Sequence, residues 1–302
     1  MMADSLSGSC VAHVYAGEYE RAIALSEQAL QISQDIENLW GQPYSRWAIG
    51  DAFREQGEYS RAIEASEESI RLGESAGFLA SQTYTRIKLA MVYGDLGLLE
   101  RGIELIEAAL DLAERHNFRV HTALALGGLA HLHILQGDPT QAEADIERGK
   151  KDAFRESWAV FYLAVLTADA ELALRQGDYA RALAATDDLL VRLRRYGMRS
   201  LLPEVLYWQG KALSGLGRDE AARDRLSEAR IEAEQMRSWR ILWRILSGLS
   251  QVEDDLAKAR PFRQRAAEIV KTIADQIHQA PLRASFLNLP DVQAVLETVE
   301  PG

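Results

Sequence analysis

Gly17-Glu-Tyr-Glu-Arg-Ala22 returns forty residues later as Gly57-Glu-Tyr-Ser-Arg-Ala62. The series continues through Gly97-Leu-Leu-Glu-Arg-Gly102, Gly137-Asp-Pro-Thr-Gln-Ala142, Gly177-Asp-Tyr-Ala-Arg-Ala182 and Gly217-Arg-Asp-Glu-Ala-Ala222. A fixed period of this length identifies a repeat architecture. Seven residues before each glycine stands a small residue: Cys10, Gly50, Ala90, Ala130, Ala170 and Gly210. Four before it the side chain is mostly large, as at His13, Phe53, Tyr93 and His133. Twelve after it the side chain is mostly small, as at Ala29, Ser69, Ala109, Gly149 and Ala229. Small residues at fixed points let two helix backbones approach closely, and large ones fill the gap beside them.

Between these landmarks the apolar residues follow a helical period. Ala22, Ile23, Ser26, Ala29 and Leu30 share one face, as do Ile103, Ile106, Ala109 and Leu110. Each glycine falls where one helix ends and the next begins, most often with Asp or Glu following, which suits a glycine C-cap and an acidic first turn. Pro43 and Pro203 share one repeat column near a helix start, and Pro139 opens another helix. A seventh unit is expected out of register by four residues, with Arg265-Ala266-Ala267 in place of the Arg-Ala pair. The chain is therefore expected to be all-α, with about seven antiparallel helix pairs.

The small residue, the large one three later, Gly-Asp/Glu-Tyr-x-x-Ala and the next small residue resemble tetratricopeptide repeats. The resemblance runs from about Ser5 to Ile277. It implies a right-handed superhelical solenoid over residues 1–280, with the first helix of each pair on the concave side, and a C-terminal cap over 281–302. HEAT repeats have a similar length but lack the Gly-Asp-Tyr-x-x-Ala turn and rank second. The forty-residue period exceeds the usual thirty-four, and the closing proline is missing. Elongated units of this kind are similar to those of large bacterial signalling proteins: STAND-type ATPase regulators, LuxR-like activators and cyclase-linked sensors. The tail Pro281-Leu-Arg283-x-x-Phe286-Leu-x-x-Pro290 is similar to tails that end such arms. No cap precedes Leu6, so the chain is expected to be a piece of a longer polypeptide or to pack its first face on another subunit. A helix of about 18 residues is about 27 Å long, wide enough to line a groove for a peptide or a protein edge.

Composition bounds the rest. The chain has 302 residues, 47% hydrophobic and 26% charged, which is ordinary for a folded protein and excludes disorder and low-complexity scaffolds. A formal charge of −11 has the wrong overall sign for a nucleic-acid binder or a polybasic membrane-surface protein. The one cysteine, Cys10, has no internal partner for a disulfide. The run from Trp158 to Ala168 is too short to span a bilayer, and the first residues lack a signal-peptide pattern. A cytoplasmic location is expected.

In tetratricopeptide-like arms, ligand contacts come from first-helix positions thirteen, ten and six residues before the glycine. The resemblance places these at Tyr44, Trp47 and Asp51, at Tyr84, Ile87 and Met91, and at Leu124, Gly127 and His131. The next repeats give Ala164, Thr167 and Glu171, then Glu204, Tyr207 and Lys211. The candidate partner site is Tyr44, Trp47, Arg54, Tyr84, Met91, His131, Glu171, Tyr207 and Lys211, because aromatic anchors commonly dominate recognition. Met91 beside Tyr84 also reads as core filling, and Trp239 with Trp243 as core. The Lys/Asn clamp for a terminal carboxylate is absent from these columns, as are the asparagines by which quorum-sensing receptors of this class grip peptide backbones.

Charge is uneven along the chain. The early repeats carry Glu18, Glu20, Asp51, Glu55, Glu58, Glu64, Glu67 and Glu68, with no lysine before Lys88. The later ones hold Arg192, Arg194, Arg195, Arg199, Arg237, Arg240 and Arg244. Solvated helix faces with paired charges explain this first; an acidic partner or head-to-tail self-association is the sharper reading. His131 and His133 point about 200° apart on a helix and cannot share one metal. No phosphate loop, nucleophile elbow or Cys/His metal spacing is present. The sequence points to a non-catalytic binding scaffold without a cofactor, holding a protein or peptide in its groove. The alternative is a small-molecule effector domain controlling an attached ATPase, cyclase or DNA-binding module.

Overall fold

The computed structural model describes residues 2–152 and 159–297. Trp158 of the apolar run and residues 298–302 of the expected cap lie outside these residues. In chain order the helices are α1 (Met2–Ala16), α2 (Tyr19–Asp35), α3 (Gly41–Arg46), α4 (Ile49–Glu55), α5 (Tyr59–Ala76), α6 (Leu79–Asp95), α7 (Leu99–Arg115), α8 (Arg119–Gln136) and α9 (Pro139–Asp152). They continue as α10 (Ala159–Arg175), α11 (Tyr179–Tyr196), α12 (Leu202–Gly215), α13 (Asp219–Met236), α14 (Trp239–Val252), α15 (Leu256–Asp275), α16 (Ala280–Leu287) and α17 (Pro290–Glu297). No strand occurs among the described residues. Two compact units share the chain: residues 1–54 with 61–169, and residues 55–60 with 170–302.

The turns follow from backbone chemistry. Gly17, Gly57, Gly97, Gly137, Gly177 and Gly217 all have φ between 71° and 83°, the left-handed region that only glycine enters without cost. At Gly177 the N–H of Asp178 returns to the Ala173 carbonyl at 3.0 Å and that of Gly177 to Leu174 at 3.1 Å. This double return satisfies the last carbonyls of the helix. A second left-handed column, at Glu37, Gly77, Asn117, Gly197 and Arg237, follows α2, α5, α7, α11 and α13. Sequence inspection misses this column, because glycine occupies only two of those five positions.

In the first unit, each second helix buries the stripe that the period foretells. α2 buries Ala22, Ser26, Ala29, Leu30 and Ser33, and α7 buries Gly102, Ile106, Ala109, Leu110 and Ala113. The small residues stand where backbones meet. A Cβ at Gly50 would lie 2.5 Å from Ser66 Oγ of α5, and one at Gly127 would lie 2.5 Å from the Ala164 carbonyl carbon of α10. The first helix of the second pair is broken at Trp47–Ala48. There the Ser26 hydroxyl donates to the Ser45 carbonyl at 2.7 Å, the acceptor that the Ile49 N–H would use in a continuous helix.

The second unit holds the remaining pairs. α12 packs on α13 and α14 on α15, and α16 and α17 pack on α15. The α14–α15 turn has no glycine: Asp255 caps α15 by accepting from the Ala257 N–H at 2.9 Å. Ala266 and Ala267 of the displaced seventh unit are buried, as is Trp243, whereas Trp239 is half-buried. Residues 55–60 belong to this unit through specific contacts. Arg240 Nε donates to Glu55 at 2.9 Å while its other two nitrogens grip both oxygens of Glu204. Tyr59 lies 5.9 Å from the ring of Phe286, and the His278 N–H donates to Ser60 Oγ at 3.0 Å. Removing one partner of such a buried pair costs about 3–5 kcal/mol.

Two alanine substitutions separate backbone strain from close packing. Gly177→Ala should lower stability by about 1 kcal/mol, since nothing lies within 4 Å of the new methyl and only the left-handed φ opposes it. Gly127→Ala should lower it by more, about 2–3 kcal/mol, because its methyl strikes rigid backbone of α10. Urea midpoints of the two variants check the order.

Candidate functional site

The first helices of the first unit carry a file of rings. Trp40 stacks on Phe78 at 4.9 Å, and Phe78 meets the edge of Tyr44 at 6.4 Å. Tyr44 meets Trp47 at 4.9 Å, and Trp47 lies against Tyr84 at 4.9 Å. Tyr84 meets His121 at 6.4 Å, and His121 meets Phe118 at 5.7 Å and Phe161 at 6.2 Å. Trp40, Phe78 and Phe118 are the residues preceding α3, α6 and α8, so the repeated helix starts place the rings side by side.

Exposure is graded along the file. Its open end is Trp40, 59% exposed beside Leu39 at 61% and Ile36 at 62% in the α2–α3 connection. Phe78, Tyr44 and Trp47 are half-buried, and Tyr84 and His121 are buried. Exposed apolar side chains scattered singly need no explanation, but a contiguous set marks an interaction surface.

The buried end is held by charge. Asp51 Oδ2 accepts from the Tyr84 hydroxyl at 3.1 Å and pairs with Lys88 Nζ at 3.0 Å. Burial and the Asp51 carboxylate push the Tyr84 phenol well above its ordinary range. Burial acts to lower the Lys88 ammonium, but Asp51 outweighs it and the net shift is upward. Both groups therefore keep their protons at neutral pH, donating to one carboxylate. Burial lowers His121 to about 4, so its ring is neutral, and its Nδ1 has no partner among the described residues. The Trp47 Nε1 donor is likewise buried without a partner among the described residues.

The candidate residues separate accordingly. Tyr44, Trp47 and Tyr84 come together in the file, with Tyr84 buried as core rather than displayed. Arg54 stands nearby in sequence but is committed to Asp95, with Nε at 2.6 Å and Nη2 at 3.1 Å. Met91 packs half-buried on the Tyr84–Ile87–Leu124 core, and His131 is half-buried. Glu171, Tyr207 and Lys211 belong to the second unit. Glu171 is buried, with Arg175 at 3.7 Å. Burial raises the Tyr207 hydroxyl, and Lys211 donates to Gln251 at 2.9 Å. Trp40, Phe78, Phe118, His121 and Phe161 were absent from the sequence-derived set. They occupy first-turn and flanking positions outside its three columns, and only the aromatic character of the helix starts could have signalled them.

The basic residues of the later repeats are largely spent within the molecule. Arg192 pairs with Asp188, Arg194 with Glu228, Arg199 with Glu232 and Arg244 with Asp291. The Cys10 thiol is pushed to about 12 by burial and by Asp51, so it stays protonated. His133 meets Asp145 at 2.8 Å, and no group of three His, Cys, Asp or Glu suited to a metal occurs among the described residues. No described helix is long and apolar enough to cross a membrane.

Residues 84–116, α6 from Tyr84 into α7, match the tetratricopeptide repeat family profile. No curated protein matches the chain in sequence. Among solved structures, the chain is similar to the Rap conjugation gene regulator of plasmid pLS20 in complex with the Phr* peptide. That match has 15% identity and a TM-score of 0.63, over 89% of this chain and 74% of that one. A Rap protein complexed with Competence and Sporulation Factor matches at 12% identity and TM-score 0.57, over 98% of each chain. A STAND protein with a tetratricopeptide repeat sensor from Pyrococcus horikoshii matches at 16% and 0.52, over 92% of this chain and 44% of that one. The chain is a helical-repeat protein with the tetratricopeptide fold.

His121 makes stability depend on pH with a defined sign. Its folded value, about 4, lies below the unfolded value near 6.5, so the unfolded state binds the extra proton between them. The stability that this residue's burial in neutral form preserves above pH 6.5 is lost as pH falls toward 4. His121→Phe should flatten that acid limb by about 2–3 kcal/mol between pH 7 and pH 4, read from urea melts at each pH. At pH 7 it should cost little, since it removes a buried atom that lacks a partner.

Proposed function

We propose that this chain is a non-catalytic scaffold that takes a peptide or an extended protein segment on the aromatic file of its first unit. The carrying observation is the gradient of that file, from the exposed Ile36, Leu39 and Trp40 to the rigid Tyr84–Asp51–Lys88 centre. An apolar entrance on a fixed base suits recognition by large apolar or aromatic side chains, with little ordering cost on the receptor side. The Rap complexes, one with the Phr* peptide and one with Competence and Sporulation Factor, support this reading at the level of the fold. Tyr44 and Trp47 are the anchors shared by the sequence columns and the file, and Trp40 with Phe78 extends them. We further propose that the chain serves as the interaction or sensor arm of a signalling protein, with residues 281–302 as its cap.

A randomised peptide-display selection against the purified chain tests the reading. Peptides enriched on the wild type should carry aromatic or large aliphatic residues. They should bind at least tenfold more weakly to Trp40→Ala, whose side chain is 59% exposed, and to Tyr44→Ala, with circular dichroism showing that both variants fold. Enrichment of nothing, or of peptides indifferent to both substitutions, would overturn it.

A further inference from the structure

The three first-helix columns that end at Glu204, Tyr207 and Lys211 fall, one repeat further on, at Arg244, Ser247 and Gln251 of α14. Ser247 and Gln251, with Ser250, line a cavity of about 330 Å³. Arg263 and Ala266 of α15 and Ala294 and Val295 of α17 complete it. Its volume equals that of roughly ten water molecules, at the small end of ligand sites.

Charge distinguishes this cavity. Among the described residues, the buried and half-buried arginines and lysines meet a carboxylate at 3.8 Å or less: Arg46, Arg54, Arg86, Lys88, Lys150, Arg192, Arg199, Arg223, Arg230, Arg240 and Arg244. Two do not: Arg263, which lines the cavity, and Lys211, which is hydrogen-bonded to the lining Gln251. The Lys211 ammonium has only the Gln251 amide oxygen, at 2.9 Å. The Arg263 guanidinium has no partner among the described residues. The nearby Asp291 carboxylate is taken by Arg244 at 2.8 Å. In a chain of charge −11, the lining Arg263 and the Lys211 bonded to the lining Gln251 are half-buried cations without a carboxylate partner among the described residues, and they lack an anion that the protein does not itself supply. Burial lowers the Lys211 ammonium against the opposing field of Asp291, consistent with that shortage.

The other groups define what the anion carries. Lys211 occupies Gln251 Oε1, so the Gln251 Nε2 remains to donate. The Ser250 hydroxyl already donates to the Ser247 carbonyl, at 2.8 Å, which leaves the Ser247 hydroxyl and the planar guanidinium fork as the remaining side-chain donors. That fork fits a carboxylate through two parallel bonds. The side chains of Ala266, Ala294 and Val295 carry no polar atom, so this part of the lining suits hydrocarbon.

We propose that this cavity binds a small organic acid, its carboxylate held by Arg263 with Gln251 and Ser247, and its short aliphatic chain against Ala266, Ala294 and Val295. Lys211 is a positioning residue that orients the Gln251 amide. The site is separate from the aromatic file, and its failure would leave the peptide reading untouched.

Methyl NMR of the full chain, following Ala266, Ala294 and Val295, reads the site directly. Pentanoate should shift these methyls saturably, and its neutral isostere pentanamide should need at least tenfold more. Arg263→Gln should weaken pentanoate at least tenfold while leaving the pentanamide response unchanged, which shows that the variant cavity is intact. Lys211→Met should weaken pentanoate by a smaller factor. Inorganic phosphate should act more weakly than pentanoate, since it leaves the apolar wall uncovered. Equal response to pentanoate and pentanamide, saturation by phosphate alone, or no shift at 20 mM of any probe would overturn the proposal.

Discussion

Close approach of helix backbones is the constraint from which the architecture follows. A helix pair of this size cannot bury its apolar stripe alone, so each first helix must lie against helices on both sides. At Gly50, Gly102 and Gly210 the space that a Cβ would need is already filled, by Ser66, Leu132 and Leu226 respectively. Contact at such distances removes water from both stripes and leaves no room for slippage. The forty-residue period is the chemical record of that requirement, since the small residue must recur wherever the next backbone arrives. The left-handed turns only return the chain in time to meet it.

The buried charges inside the stack are held by opposite charges and hydrogen-bond donors. Asp51 takes both Tyr84 and Lys88, and Arg240 bonds Glu55 through Nε and Glu204 through both Nη atoms. These centres fix rotamers of long side chains and give the half-buried rings beside them a rigid base. Tyr84 illustrates the coupling: its hydroxyl serves the buried carboxylate while its ring supports Trp47. The aromatic file and the core are thus one continuous set of side chains, open to solvent at one end.

Much of this was legible in the residues. The Gly-Asp/Glu-Tyr-x-x-Ala turn, the small-residue column and the apolar spacing of α2 and α7 each translate directly into local geometry, because they depend on steric rules that act within a few residues. The break at Trp47–Ala48 was not legible. It coincides with Ser26, twenty-one positions from Trp47, reaching the Ser45 carbonyl. Nor was the second left-handed column, where Glu37 and Arg237 adopt a conformation that their side chains disfavour and that the surrounding helices impose.

What the sequence by itself determined is the repeat: an all-helical chain, its period, its turns and the stripe each helix buries. All of these are local, because propensity, capping and periodicity are properties of consecutive residues. Only the tertiary structure decided which aromatic side chains are displayed and which are consumed. Tyr84 and Trp40 are both aromatic residues near first-helix starts, yet one is buried over a carboxylate and the other lies open beside Leu39. The same holds for Lys211 and Lys88, cations on first helices, of which one found a carboxylate across the helix boundary and the other did not. Burial and pairing depend on neighbours from other turns of the stack, and no stretch of sequence carries that information alone.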